Sequence, residues 1–193
     1  MKSRERNLSL AELSPAATAI SAAGFGLVLK GCSEINTTRG VVEIAVGRGL
    51  DGVDGTVARL LDQESDAGAL VDAGLDKFGI LAVSIAAWKT QAIPRPVIAT
   101  VVAKNALSAG LTYVHGKRHP NESFRPTNWG KASMATDSVA YGAYLEANAL
   151  EHEHPEKIEE QKVARQIGRT AVTAGLVSGA VSLAQYTKRA LGK

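Results

Sequence analysis

Four of the six aspartates between residues 51 and 76 form two pairs whose spacing could do chemistry, Asp51 with Asp54 and Asp72 with Asp76. In an α-helix, residues three or four apart share a face, so each pair would present two carboxylates to one side. Four carboxylates brought together in an apolar helical protein would repel one another unless they bind protons or cations. Mg²⁺ and Mn²⁺ prefer oxygen ligands of this kind, and two such ions can clamp a phosphoryl group during displacement at phosphorus. The pattern therefore predicts a two-metal phosphotransfer site.

Small residues and one arginine lie between the aspartates. The intervening glycines, Gly55 and Gly68, and Ala58 leave open space where a phosphate and a nucleotide could approach the backbone. Arg59 carries a fixed fork of donors that suits phosphate oxygens. These residues favour phosphate and nucleotide binding beside the carboxylates.

Two other interpretations of this acidic region are an EF-hand-like calcium loop and a solvated acidic face. An EF-hand needs oxygen ligands at alternating positions of one loop and a terminal glutamate, whereas these acids recur at helical spacing. Solvation is the usual fate of such charges, and we expect it for Asp62 and Asp66 in the short polar connection. His152 and His154 could bind a metal as a pair, but their acidic loop favours a solvated surface.

The chain as a whole is typical of a helical protein. Its 193 residues contain long apolar segments with short polar breaks, and few stretches alternate strictly as a strand would. Helices are predicted at about residues 11–31, 37–61, 68–88, 96–115, 129–149 and 160–190. Because the connection between the second and third is short, these two should run antiparallel, and their carboxylate stripes should meet near one end.

Hydropathy by itself slightly favours a soluble protein, but the charges favour a membrane protein. Only residues 14–29 and 170–187 run about long enough without a charge to span a bilayer. With a cytoplasmic amino terminus and six crossings, most basic loop and terminal residues fall inside and the acidic loop at 151–160 falls outside, although Lys30, Arg39 and Lys89 do not follow this positive-inside pattern. We therefore expect an all-α integral membrane bundle of six transmembrane helices, forming a single domain over residues 1–193.

Other features of the composition are less specific. The formal net charge of +3 is mild, and the basic residues are scattered, so nucleic acid is not an expected partner. Aromatic residues near predicted helix ends are expected to anchor at the membrane interface; these are Trp88, Trp129, Tyr113, Tyr141 and Tyr144.

The region from Asp51 to Asp76 reads D-x2-D-G-x2-A-R-x8-G-x3-D-x3-D, with every fixed position filled. This spacing resembles the signature of the CDP-alcohol phosphotransferase (CDP-alcohol phosphatidyltransferase) family, and eight fixed residues at fixed separations are highly specific. The stretch LSPAATAISAAG is similar to the family's Leu-(Thr/Ser)-Pro-Asn-x-x-Thr segment, with Ala16 in place of the usual Asn. Gly130 and Lys131 are similar to the start of its Gly-Lys-x-x-Thr segment, although the threonine comes late, at Thr136.

The resemblance implies an enzyme of phospholipid biosynthesis that moves a substituted phosphate from a CDP-linked donor, usually CDP-diacylglycerol, to an alcohol and releases CMP. By position it implies that two divalent cations, Mg²⁺ or Mn²⁺, are bound by Asp51, Asp54, Asp72 and Asp76. Asp76 would also act as general base on the acceptor hydroxyl. The CDP site would be lined by Gly55, Ala58, Arg59 and Gly68. We also expect a multi-pass protein of the cell (inner) membrane, with its active site facing the cytoplasm, and we expect it to form a homodimer.

Cationic residues in the predicted helices are the candidates for binding the acceptor, chiefly Lys131, Lys104 and Arg169, with Arg165 nearby. Intramembrane charges are usually functional, and two or three around one cavity would suit a phosphorylated acceptor such as glycerol phosphate or inositol phosphate. The alternative is that these cations snorkel to the interface or pair with Glu43, Asp137 and Glu146. The sequence does not choose between acceptors.

Two further hypotheses compete with an active enzyme. One is a non-catalytic membrane bundle of the same fold that serves assembly or lipid binding. Loss of a motif aspartate would favour it, and none is lost. The other is a soluble helical metal-binding protein, which would remain in solution without detergent.

Overall fold

The computed structural model describes residues 15–60, 66–118 and 127–190. Over these ranges the chain forms helices and no strand: α1 (Pro15–Ser33), α2 (Thr38–Leu60), α3 (Asp66–Thr90), α4 (Arg95–Arg118), α5 (Asn128–Glu153) and α6 (Ile158–Ala190). The all-α prediction is confirmed for this part of the chain, and the bounds agree with the predicted ones to within a few residues. Residues 11–14, where the first helix is predicted to begin, lie outside the described ranges.

Helix boundaries follow local chemistry. Pro15 is the first residue of α1 and Pro96 the second of α4, where a missing backbone N–H costs no helical hydrogen bond. Thr127 caps α5, because its side-chain oxygen accepts a hydrogen bond from the backbone N–H of Gly130 at 3.0 Å. After α3 the chain turns at Gln91, which has a positive φ of 60°.

The described residues fall into two compact units. One holds α1, α2 from Arg39 onward, and α3 as far as Ala86. The other holds Asn36–Thr38, the end of α3 from Ala87, and α4, α5 and α6. The motif aspartates therefore belong to the first unit, and the candidate acceptor-binding cations to the second. One domain over residues 1–193 stays a prediction.

Glycines allow α1 and α2 of the first unit to approach backbone to backbone. A Cβ atom added to Gly31 would lie 2.5 Å from the carbonyl oxygen of Gly40, and one added to Gly47 would lie 2.5 Å from that of Gly24. No side chain fits at such distances. Small residues at this contact are typical of helix pairs in membranes.

In the second unit, α6 packs against both α5 and α4. The ring of Tyr144 on α5 lies against Gly168 of α6, where an added Cβ would meet ring carbon Cε2 at 2.9 Å. Tyr141 and Tyr144 are both buried, so the expectation that they anchor at a membrane interface is wrong. Trp88, Trp129 and Tyr113 are exposed near helix ends, as that expectation requires.

Two helical segments in the described part of the chain are long and apolar enough to cross a membrane, Arg95–His115 in α4 and Ile158–Arg189 in α6. The second contains the predicted stretch 170–187, whereas the stretch 14–29 overlaps a shorter apolar segment, Thr18–Ser33. Only 17% and 33% of the apolar windows in the two segments are buried within the chain. Six membrane crossings stay a prediction.

The distribution of side chains fits a lipid environment. Large apolar residues such as Leu107, Ile167 and Val177 are exposed, whereas Ser21, Ser182 and other small polar residues are buried. In water this arrangement would leave wide apolar surfaces uncovered. In a bilayer, lipid covers such surfaces, and small or polar residues mediate helix contact.

Candidate functional site

All eight positions of the aspartate motif lie on α2 or α3. Asp51, Asp54, Gly55, Ala58 and Arg59 belong to α2, and Gly68, Asp72 and Asp76 to α3. The helical spacing assumed from the sequence therefore holds for the backbone. The side chains at the six non-glycine positions, and the surroundings of Gly55 and Gly68, lie outside the described part of the structure, so the geometry of the carboxylates stays a prediction.

Where their side chains are described, the remaining polar residues discussed from the sequence do not form a second metal site. His152 is exposed and its Nδ1 lies 2.8 Å from the carbonyl oxygen of Asn148, while Nδ1 of His154 lies 3.4 Å from Glu156. Among residues whose side chains are described, no three of His, Cys, Asp or Glu are placed to hold a metal ion. Asp62 and the side chain of Asp66 lie outside that set.

Lys104 of α4 is paired with Asp137 of α5. Its ammonium donates to Oδ1 of Asp137 at 2.7 Å and to the carbonyl oxygen of Gly175 on α6 at 3.1 Å. The second carboxylate oxygen of Asp137 accepts from the side-chain amide of Asn105 at 3.3 Å. Both charged side chains are buried, with residue exposures of 9% for Lys104 and 4% for Asp137. The cluster is thus a neutral, hydrogen-bonded connection between three helices.

Two glycines on α6 make room for this pair. A Cβ on Gly179 would lie 2.4 Å from Cδ of Lys104, and one on Gly175 would lie 3.0 Å from Oδ1 of Asp137. Ser133 adds a hydroxyl that donates to the Gly175 carbonyl at 3.4 Å. Sequence reasoning gave pairing with Asp137 as an alternative for the candidate acceptor-binding cations, but it missed the two glycines that make room for the pair. The available signal was the spacing of Gly175 and Gly179, one helical turn apart in the uncharged stretch 170–187.

The other candidate cations have different surroundings. Lys131 and Arg169 are exposed, and Arg165 pairs with Glu151. Lys131 precedes Asp137 by six residues, about 9 Å along the helix axis and on a different face. The described contacts thus place Lys104 in a buried ion pair and leave Lys131 and Arg169 exposed.

Glu43, an expected partner of those cations, pairs elsewhere. Its Oε1 accepts hydrogen bonds from Lys30 and, at 3.2 Å, from Arg39, which also lies 3.8 Å from Glu34. Its Oε2 is buried without a hydrogen-bond partner among the described residues. This ion cluster joins α1 to α2 two helical turns before Asp51 and accounts for a charge that is unusual in an apolar helix.

The sequence pattern of one known family extends over these elements. The pattern described as CDP-alcohol phosphatidyltransferase matches residues 13–180, from the start of α1 into α6. The chain belongs to the CDP-alcohol phosphatidyltransferase family. The resemblance seen in the aspartate motif is thereby confirmed over most of the chain. No curated protein and no solved structure gives a significant match.

Membership establishes the class of chemistry. CDP-alcohol phosphatidyltransferases are transferases for substituted phosphate groups, and the family implies phosphatidyl transfer from a CDP-alcohol to an acceptor alcohol in phospholipid synthesis. Members of the family use divalent metal ions. The two apolar helices and the family together indicate a membrane protein.

Proposed function

We propose that this protein transfers a phosphatidyl group from CDP-diacylglycerol to a small acceptor alcohol and releases CMP, in a reaction that depends on divalent metal ions. The observation that carries the proposal is the complete eight-residue motif on α2 and α3 in a chain that belongs to the family. A non-catalytic relative would be free to lose one of these residues. All eight motif residues are present in this chain.

Asp51, Asp54, Asp72 and Asp76 are the proposed ligands of two Mg²⁺ or Mn²⁺ ions. Their carboxylates form a donor set of hard oxygens, which suits these cations better than it suits softer metals. Helical spacing on α2 and α3 favours two ligands from each helix. When bound, the ions supply charge neutralisation and polarisation of the pyrophosphate.

The nucleotide is assigned to four positions between the aspartates: Gly55, Ala58, Arg59 and Gly68. Small residues let the cytidine and pyrophosphate approach the helix backbone. The guanidinium of Arg59 donates parallel hydrogen bonds to phosphate oxygens, a geometry that lysine does not reproduce.

Asp76 is the proposed general base. Its carboxylate takes the proton of the acceptor hydroxyl as the new oxygen–phosphorus bond forms. The phosphoanhydride bond of the donor breaks at the same phosphorus, and CMP leaves with the bonding electron pair. A stable phosphate leaving group means that the protein has to supply orientation and charge stabilisation rather than a strong acid.

Lys131, Arg169 and Lys104 are proposed to bind an anionic acceptor such as glycerol 3-phosphate or inositol 1-phosphate. Lys131 and Arg169 are exposed cations and are the first two to test. Lys104 could join them only by exchanging its contact with Asp137 for one with the acceptor.

The proposed setting is the cell (inner) membrane, crossed six times by a single domain, with the active site toward the cytoplasm and two copies forming a homodimer. The acidic loop at 151–160 and most of the basic loop and terminal residues support this orientation, with Lys30, Arg39 and Lys89 as exceptions. Cysteine-scanning accessibility tests the topology, and light scattering in detergent tests the dimer.

The deciding experiment is CMP release by the purified protein in detergent with CDP-diacylglycerol. Mg²⁺ or Mn²⁺ is added, and the acceptors are glycerol 3-phosphate, inositol, inositol 1-phosphate and serine. We expect release with one acceptor and loss of release with a chelator. If the protein binds metal and CDP but releases no CMP with any acceptor, catalysis with these substrates is contradicted and a non-catalytic bundle is favoured. Recovery without detergent in the soluble fraction would contradict the membrane assignment.

A further inference from the structure

Buried hydroxyl groups hold the beginning of α5 against α6. The backbone N–H of Thr127 donates to the hydroxyl oxygen of Tyr186 at 3.4 Å, and the hydroxyls of Thr127 and Ser182 lie 3.4 Å apart. Thr127 also caps α5 through its 3.0 Å bond from the N–H of Gly130. Thr127, Ser182 and Tyr186, which we call the hydroxyl cluster, are all less than 10% exposed. The first turn of α5 is thus tied to the last turns of α6.

Gly130 brings the backbone of α5 directly onto this hydroxyl cluster. An added Cβ would lie 2.7 Å from the hydroxyl oxygen of Tyr186, 3.2 Å from that of Ser182 and 3.3 Å from that of Thr127. The ring of Tyr186 is buried and cannot simply swing away. The site therefore has no room for a side chain at position 130, and the Tyr186 hydroxyl limits how closely the first turn of α5 can approach α6.

The residue that follows this contact is Lys131, which is exposed. The side chain of Lys131 is long and flexible, so the position of its ammonium group relative to a bound anion depends on the position of the Lys131 backbone. Displacement of a substrate-positioning group by about 1 Å can remove a large part of its contribution to the reaction rate. The hydroxyl cluster fixes the backbone one residue away.

We propose that Tyr186 is a positioning residue for acceptor binding, because its hydroxyl sets the place of the first turn of α5 and with it the place of Lys131. This inference rests on the proposed function, in which Lys131 binds the anionic group of the acceptor. Tyr186 acts through Thr127 and Gly130 and touches neither substrate. Tyr186 therefore affects the affinity for the acceptor, and it affects neither the affinity for the donor nor the rate of the chemical step.

The test compares Tyr186→Phe with Lys131→Gln and with Tyr144→Phe in CMP release. Glycerol 3-phosphate and inositol 1-phosphate are both titrated at saturating CDP-diacylglycerol, and CDP-diacylglycerol is titrated at saturating acceptor. Tyr186→Phe should raise the acceptor KM about five-fold, a change that corresponds to the net free energy of one neutral hydrogen bond. The kcat and the donor KM should stay within about two-fold. Tyr144→Phe is the matched control, because Tyr144 is also buried and meets α6 through its ring at Gly168.

A second comparison detects the contact without relying on activity. Gly130→Ala should lower the unfolding temperature, because its methyl group meets the Tyr186 hydroxyl. In the Tyr186→Phe background the atom at 2.7 Å is gone, so the same substitution should lower the unfolding temperature less. Equal losses in the two backgrounds would overturn the contact on which the inference depends.

The outcomes separate this inference from the proposed function. A raised acceptor KM in Lys131→Gln, with Tyr186→Phe behaving like Tyr144→Phe, overturns the positioning role alone. An unchanged acceptor KM in Lys131→Gln overturns the acceptor assignment of Lys131 and the role of Tyr186 together. Equal rises in acceptor and donor KM for Tyr186→Phe would reveal a general structural effect and also overturn the inference.

Discussion

Lys104 on α4 and Asp137 on α5 form a buried ion pair, with Nζ and Oδ1 separated by 2.7 Å. An isolated charge in an apolar helix bundle is costly, and pairing with extra hydrogen bonds offsets part of that cost. Asn105 and the Gly175 carbonyl supply those bonds. The pair therefore gives Lys104 a structural explanation that does not involve substrate, whereas Lys131 and Arg169 are exposed.

Replacing one partner of this pair should lower the free energy of unfolding more than replacing both partners together. Lys104→Met or Asp137→Leu leaves one charge buried without its partner, at a cost of about 3–5 kcal/mol in unfolding free energy. The double variant should lie much closer to the original protein. Unfolding in detergent measures all three, with Lys131→Met as the exposed control. A double variant as unstable as the worse single variant would contradict the pairing.

Gly179→Ala should destabilise the protein because its methyl group would lie 2.4 Å from Cδ of Lys104. The expected loss is about 1–3 kcal/mol, as for other overpacked sites. Gly142→Ala on α5 is the control, since an added Cβ there has no neighbour within 4 Å. That control should be neutral or stabilising by up to about 1 kcal/mol, because alanine is the better helix former. Equal effects at the two glycines would contradict the packing of Lys104 on α6.

Asp72→Asn should reduce CMP release below detection, because an amide keeps the size of the carboxylate but not its charge. Size-exclusion chromatography and circular dichroism should show a folded protein. Asp62→Asn is the matched control outside the motif and should retain turnover. Activity in the Asp72 variant close to that of the control would rule out the two-metal site.

The pairing of Glu153 with Thr38 should make stability depend on pH. The side-chain hydroxyl of Thr38 donates to Oε2 of Glu153 at 2.6 Å and its backbone N–H does so at 3.0 Å, and these bonds lower the pKa of Glu153. Because the folded-state pKa lies below the unfolded one, the stabilisation is present above the unfolded pKa, about 4.3 for glutamate. It is lost as the pH falls through the folded pKa.

Glu153→Gln should therefore flatten the fall in unfolding temperature between about pH 6 and pH 3, relative to the unsubstituted protein. Glu156→Gln, in the same polar loop and without a bond to Thr38, is the control. Identical pH profiles for the Glu153 variant and the unsubstituted protein would show that the bonds to Thr38 do not contribute.

Much of the architecture was predictable because its causes are local. Helices begin and end where apolar segments of helical length meet polar breaks. Pro15 and Pro96 also mark helix starts, because proline is tolerated in the first turn of a helix but not in its interior. The tyrosines of α5 show where such reasoning fails. Tyr141 and Tyr144 fit an interfacial anchor by composition, but α6 offers Gly168, whose missing side chain leaves space for the ring of Tyr144.

The sequence by itself determined the helices and the family, because apolar segments of helical length and a motif of 26 residues on two successive helices are short-range patterns. The chemistry of the aspartate motif stays a prediction. Only the tertiary structure decided that Lys104 meets Asp137 and Gly175, and that Thr127 meets Tyr186. These partners are 33, 71 and 59 residues apart in the chain. Contacts over such separations depend on which helix faces pack together, and that packing is decided by close backbone approach at glycines and by the need to satisfy buried polar groups.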